Sequence, residues 1–208
     1  MPSTMIHLVI ANKISGSISI SSLGEFYLGA IAPDTVNLNG KASKEIRYCA
    51  HLRSADYDEW IENVFEFSKK NKDIKSKNPD FFKGFLIHIL TDIAWDQTAQ
   101  PKLFELMKDN DIDVSRLNDQ KWNELLAFDR RVAECDIWNK EIRPFLINAH
   151  APCGLTVDKT ELEDYRKFVL NLNFLSPYAV DNNGLITDDM IINTAKRVYE
   201  LYENLIKS

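Results

Sequence analysis

The segment GFLIHILTDIAWD, residues 84–96, limits what this chain can fold into more than any other stretch. Read as one helix with Phe81 and Phe82 before it, it puts Phe85, Leu86, Ile89, Leu90, Ile93 and Trp95 on all sides, which leaves no face for solvent. Such a helix belongs at the centre of a packed protein. Yet it carries His88 and Asp92, four residues apart, so that an imidazole and a carboxylate leave the same side one turn above the other. A buried ionised carboxylate costs several kcal/mol unless a cation or a dense set of hydrogen bonds offsets the lost water. Two answers stand at this point. Either Asp92 knits the core by bonding His88 or nearby backbone, or the pair holds a metal ion.

With 208 residues, 45 % of them hydrophobic, the chain can bury one substantial core, and a single domain over residues 1–208 is the expectation. Seven Gly, seven Pro and long segments at helical period predict an all-α, multi-helix bundle. A first helix is expected over 5–14, carrying His7. Ser22 and Glu25 form a capping box for a short helix that Pro33 stops, leaving Asp34 at its exit. Further helices are predicted over 44–53 with His51, 58–70, from Asn78-Pro79 through His88, and 103–108 beyond a break at Pro101. A long pattern over 119–149 bends at Pro144, and two more helices run over 158–173 and 187–207.

The net charge of −6 argues against a partner such as duplex nucleic acid, which needs a basic face. Cys49, Cys135 and Cys153 are odd in number and lack CxxC spacing, so they read as reduced, small buried hydrophobes of a cytoplasmic protein. The opening MPSTMIHLVIANKISGS has no basic start and no uninterrupted apolar stretch, and reads as unprocessed. No apolar run reaches the roughly 18 to 20 residues that a transmembrane segment requires.

Four histidines occur, His7, His51, His88 and His150, and three of them lie in apolar or helix-like contexts of the N-terminal half. Any one alone reads as a satisfied core residue. Together with Asp34 and Asp92 they form a nitrogen and oxygen donor set that suits zinc. His150, in NAHAPCG, has an HxxC spacing to Cys153, but a loop or capping role after the long helix fits it better.

TMIHLVIANKI at the start, LGAIAPD ending at Asp34, AHL at His51 and FKGFLIHILTDIAW around His88 and Asp92 resemble, in order, the signature segments of the zinc-dependent phospholipase C family. That family shares an all-α fold with single-strand nucleases related to nuclease P1. The resemblance covers roughly the first 100 residues and implies that Asp34, His51, His88 and Asp92 surround one zinc. It also implies that Asp92 bridges toward a second ion near His7. The secreted pattern has a further His ten residues beyond the first His of HxxxD, where this chain has Thr98. Asp96, Glu124 and Asp129 are candidate substitutes for the missing downstream ligands, with solvated charges as the plainer reading.

The expected activity is hydrolysis of phosphate esters, with a phospholipid, a nucleotide or another small phosphorylated molecule as substrate. Asp34 is the candidate catalytic residue that aims or deprotonates the attacking water. An HD-type phosphohydrolase is disfavoured because the adjacent His-Asp pair is absent. A catalytically inactive, metal-stabilised helical module for binding or regulation is the alternative from another class. The sequence leaves the number of metals and the oligomeric state open.

Overall fold

The apolar N-terminal run that carries His7 forms helix α1 (Thr4–Ser15), followed by α2 (Leu23–Gly29) and a 3-10 turn (Ala32–Asn37) in the computed structural model. The chain continues through α3 (Lys44–Ala50), α4 (Tyr57–Lys70), α5 (Lys72–Lys77), α6 (Pro79–Gln97), α7 (Ala99–Asp109) and α8 (Leu117–Glu134). A π-helical turn (Ile137–Ile142), α9 (Arg143–Leu146), α10 (Lys159–Leu170) and α11 (Asp188–Lys207) complete it. The structure describes residues 1–38, 40, 42–150, 152, 158–175 and 182–207; Cys153 and most of the loop before residue 182 lie outside these. The fold is all-α, with no strand among the described residues. No described helix is long and apolar enough to cross a membrane.

Helix α6 is the centre, as its sequence requires. It is buried from Asp80 to Asp96 but for Lys83, and α1, α2, α4, α5, α7 and α11 all pack against it. Burying each of its Phe, Ile and Leu side chains stabilises the fold by about 1.5–3 kcal/mol. Helix α1 is likewise apolar on nearly all sides and lies between α6, α8 and α11. By contrast, α4 and α11 are amphipathic and bury one stripe, with Trp60 and Val64 on the first and Met190, Ile191, Val198 and Leu201 on the second.

Two glycines allow the closest approach in the core. A Cβ on Gly84 of α6 would stand 1.9 Å from the Phe26 carbonyl oxygen, and one on Gly29 of α2 would stand 2.1 Å from that of Phe81. Only hydrogen fits at either position, so α2 and α6 cross backbone to backbone. The entry to α2 is fastened to α6 as well. Asp80 accepts the backbone N–H of Ser21 at 2.9 Å and of Ser22 at 2.8 Å, and pairs with Lys83 at 2.8 Å. This replaces the expected capping box, for the Ser22 side chain makes no cap bond.

Other boundaries differ from the sequence pattern for local reasons. Pro33 lies in the first turn of the 3-10 segment, and α2 has already ended at Gly29. The charged stretch after α4 contains α5. Pro101 sits in the first turn of α7, where its missing N–H costs nothing. The long C-terminal pattern breaks at Cys135, in extended conformation, and passes through the π turn before Pro144 is reached. Cys49 and Cys135 are exposed, against the expectation of buried thiols.

Candidate metal centre

Four segments deliver five side chains to one buried point. His7 comes from α1, Asp34 from the 3-10 turn, His51 from the end of α3, and His88 and Asp92 from α6. The His7 and His88 rings stack with centroids 3.7 Å apart, and the His51 ring is tilted against His88 at 5.2 Å. Asp92 is at the centre: one carboxylate oxygen lies 3.6 Å from His7 Nε2, and the other lies 3.8 Å from both His51 Nε2 and His88 Nε2. His51 Nε2 is also 3.3 Å from Asp34 Oδ1.

The backbone fixes which nitrogen of each ring faces this point. His51 Nδ1 lies 2.8 Å from the Arg47 carbonyl oxygen and His88 Nδ1 lies 2.7 Å from that of Ala30. A carbonyl oxygen only accepts, so both Nδ1 atoms donate, and in its neutral form each ring presents the bare Nε2 lone pair to the cluster. The Ala30 contact depends on the glycine crossing, because Ala30 follows Gly29 and His88 stands one turn beyond Gly84.

His51 is placed by the way α3 ends. Leu52 has φ +51°, the Leu52 N–H donates to Cys49 O at 3.2 Å, and the Arg53 N–H donates to Tyr48 O at 2.8 Å. This is the paired-bond helix terminus that glycine normally completes, here made by leucine at a cost of about 1–2 kcal/mol. It ends the helix at Ala50, short of the 53 expected, and turns Arg53 back onto Asp96 at 2.7 Å. Trp60 Nε1 donates to the His51 carbonyl at 2.9 Å, which holds the corner from behind.

The result is acceptor against acceptor. His51 Nε2, His88 Nε2 and both Asp92 oxygens are buried and have no hydrogen-bond partner among the described residues. Lone pairs of nitrogen and anionic oxygen converging in a dry interior repel one another unless a cation or protons lie between them. Donor atoms of His7, His88 and Asp92, and separately of Asp34, His51 and His88, lie within 4.8 Å of one another. A nitrogen and oxygen donor set of this kind could hold a divalent metal ion.

The electrostatics of His7 and His88 agree with that fit. Burial, then the charge of His88, push the His7 ring well below the usual histidine range, and burial likewise lowers His88. Both are neutral near pH 7, the form that binds metals. Burial raises the Asp92 carboxyl. For Asp34 burial acts in the same direction, but the neighbouring His51 and the other two rings outweigh it and hold the carboxyl well below its usual range. His51 is the reciprocal case: burial lowers it, and Asp34 and Asp92 more than reverse this.

The other sequence candidates lie outside the cluster. Asp96 is engaged by Arg53 and by the Met1 amine at 3.3 Å. Glu124 accepts the backbone N–H of Asn183 and Leu185 at 2.6 and 2.8 Å, pinning that segment to α8. Asp129 accepts from the Ser3 hydroxyl and the Met5 N–H, and burial pushes its carboxyl up to about 8. All three are buried structural groups, not solvated charges. Thr98 donates to Ala94 O at 2.7 Å and touches Thr194, fastening α6 to α11. His150 is exposed, and its proposed HxxC partner Cys153 lies outside the described residues.

Of the five clustered residues only Asp34 reaches solvent, with 14 % of its side chain exposed. It opens on a cleft of about 520 Å³ whose walls include Thr4, Asn37, Arg47, Trp122, Tyr165 and Phe168. Asn37 Nδ2 donates to Asp34 Oδ1 at 3.3 Å and steadies it. Arg47, Asn37 and the carbonyl of Ala30 have no motif that would mark them in advance; the glycine four residues before His88 was the one readable sign of the crossing.

Comparison with protein-family models, with curated proteins and with solved structures gives no match.

Proposed function

We propose that this chain is a zinc-dependent hydrolase of phosphate esters. The observation that carries the reading is the set of buried, unpartnered Nε2 and carboxylate lone pairs around Asp92. The order of segments bearing His7, Asp34, His51, His88 and Asp92, which resembles the zinc-dependent phospholipase C family, supports it from the sequence side.

His51, His88 and Asp92, with Asp34, would hold one ion, and His7 with the far oxygen of Asp92 a second. Zinc bound there supplies Lewis-acid chemistry, polarising a phosphoryl oxygen and lowering the pKa of water to about 7. The chain does the rest. Where it is not itself a tight ligand, Asp34, the member that faces the cleft, would aim the attacking water or take its proton, and Asn37 fixes the carboxylate. Ala30 and Arg47 keep the two rings in the required tautomer through their carbonyls. Tyr165, whose hydroxyl burial keeps protonated, is a neutral donor in the cleft wall.

The test is elemental analysis of the purified chain together with turnover of chromogenic phosphomono- and diesters after zinc loading. One or two zinc ions per chain and measurable hydrolysis are expected, with zinc lost in His88→Ala and kept in His150→Ala. A chain that retains no metal sinks the reading. A fully loaded chain without turnover on either ester class leaves the metal-stabilised binding module as the better account.

A further inference from the structure

Among the described residues Arg47 is the one guanidinium lining the cleft. It is exposed, and among the described residues its side chain makes no hydrogen bond or ion pair; the charge of Glu45 senses it without pairing. Its own carbonyl orients His51, so the residue is anchored at the edge of the cluster through its backbone while its side chain is free. The same cleft is also lined by Trp122, left 45 % exposed, and by Phe168 and Phe174. On a chain of net charge −6, an arginine without a side-chain partner among the described residues, in one cleft with a candidate metal-binding carboxylate and three aromatic rings, marks a place for an anion with an apolar body.

Resting on the hydrolase reading above, we propose that Arg47 selects phosphomonoesters by binding two terminal oxygens of the phosphoryl group. A guanidinium grips such an anion in a fork, through two parallel N–H donors. A monoester has three terminal oxygens, so two can meet Arg47 while one remains for the cluster. A diester has two and cannot satisfy both. The second negative charge of the monoester adds to the preference. The organic group then lies against Trp122, Phe168 and Phe174, away from the charged end.

The experiment uses phenylphosphonate and its methyl monoester, which differ by one terminal oxygen and one charge and whose P–C bond resists hydrolysis. Calorimetry on the zinc-loaded full chain measures both affinities, with zinc content and melting temperature followed on the same samples. Phenylphosphonate should bind about ten- to a hundred-fold more tightly than the ester, the range expected for charge-assisted hydrogen bonds. Arg47→Ala should bring the ratio toward one with zinc content and melting temperature unchanged. Arg47→Lys, which keeps the charge but not the fork, should restore only part of it. A zinc-loaded wild type that binds neither probe or does not discriminate overturns the anchor, and so does a ratio that survives Arg47→Ala. Failure to take up zinc overturns the hydrolase reading and this selectivity together, so the zinc content tells the two failures apart.

Discussion

The Nδ1 of His88 lies 2.7 Å from the carbonyl oxygen of Ala30, and this bond across two helices exists because Gly29 and Gly84 let α2 and α6 meet backbone to backbone. The same contact that packs the core therefore sets the tautomer of a candidate metal ligand. Gly84→Ala would force its new methyl group to 1.9 Å from the Phe26 carbonyl, where no flexible side chain can yield. Overpacking of this kind costs ~1–3 kcal/mol and more against backbone, so a loss at or above the upper end is expected. Moving α2 away also loosens the Ala30 bond, and the loss of such an outer partner typically lowers metal affinity about 10- to 100-fold. Urea unfolding of metal-free protein and a zinc titration measure the two effects. Wild-type values in both would contradict the crossing.

Asp92 should behave oppositely with and without metal. In the metal-free protein its buried carboxylate faces bare Nε2 atoms of His51 and His88, and neither oxygen has a hydrogen-bond partner among the described residues. An amide in its place can donate to one of these nitrogens, and an unsatisfied buried group costs about 1–3 kcal/mol. Asp92→Asn is therefore expected to raise the melting temperature of chelator-treated protein while abolishing the further rise that zinc gives the wild type. Scanning calorimetry with and without zinc decides it. An Asn variant that melts lower without metal would make Asp92 an ordinary satisfied core residue.

Much of this arrangement could be read in the chain before its fold was known, and the reasons are local. A helix apolar on every side has one place to go, so α6 and its His88 and Asp92 were legible from period alone. His7, Asp34 and His51 read as candidate ligands by residue type, and the structure brings their side chains together with those of His88 and Asp92. The helix ends were not, because they depend on atoms distant in sequence or on unusual residues. Nothing about Leu52 announces a left-handed backbone, which glycine usually supplies, and so the sequence pattern continues α3 to Arg53. The break at Cys135 precedes Pro144, the residue that breaks helices by its own chemistry. The sequence places Asp80 at a helix start, and its bonds to Ser21 and Ser22 at the entry to α2 depend on residues 58 and 59 positions away.

Asp80 gives a pH dependence whose sign follows from its surroundings. Burial pushes its carboxyl up, but Lys83 and the two serine N–H groups outweigh this and hold it below the usual carboxylate range. Because the folded pKa is depressed, the unfolded chain takes up the proton first as pH falls. The contribution to stability is thus complete above the ordinary carboxylate pKa of about 4 and is lost as pH drops through the lower folded value. Asp80→Asn should cost about 1–3 kcal/mol at neutral pH, with the gap from wild type closing in acid. Denaturant unfolding of both proteins across pH 2 to 7, about the span of the titration, with chelator present, reads the difference directly. A gap that stays constant with pH would mean that the contribution of Asp80 is packing rather than charge.

On the proposed function, Asp34 would separate holding a metal from using it. Its Oδ1 lies 3.3 Å from His51 Nε2, Asn37 steadies it from outside, and it alone of the five residues borders the cleft. Removing a principal ligand such as His88 empties a site, whereas an amide at position 34 keeps an oxygen in place and loses only the capacity to accept a proton. Three strong donors, His51, His88 and Asp92, remain in Asp34→Asn. Most of the zinc should therefore stay, while turnover falls by the ~10²- to 10⁴-fold that a general base contributes. The loss should appear in kcat, with KM little changed, since the variant still presents the Arg47 side of the cleft. Metal analysis and steady-state kinetics on a chromogenic phosphomonoester, run on one preparation, supply both numbers. Turnover close to wild type with full zinc would remove Asp34 from the proton transfer and leave it as a ligand alone.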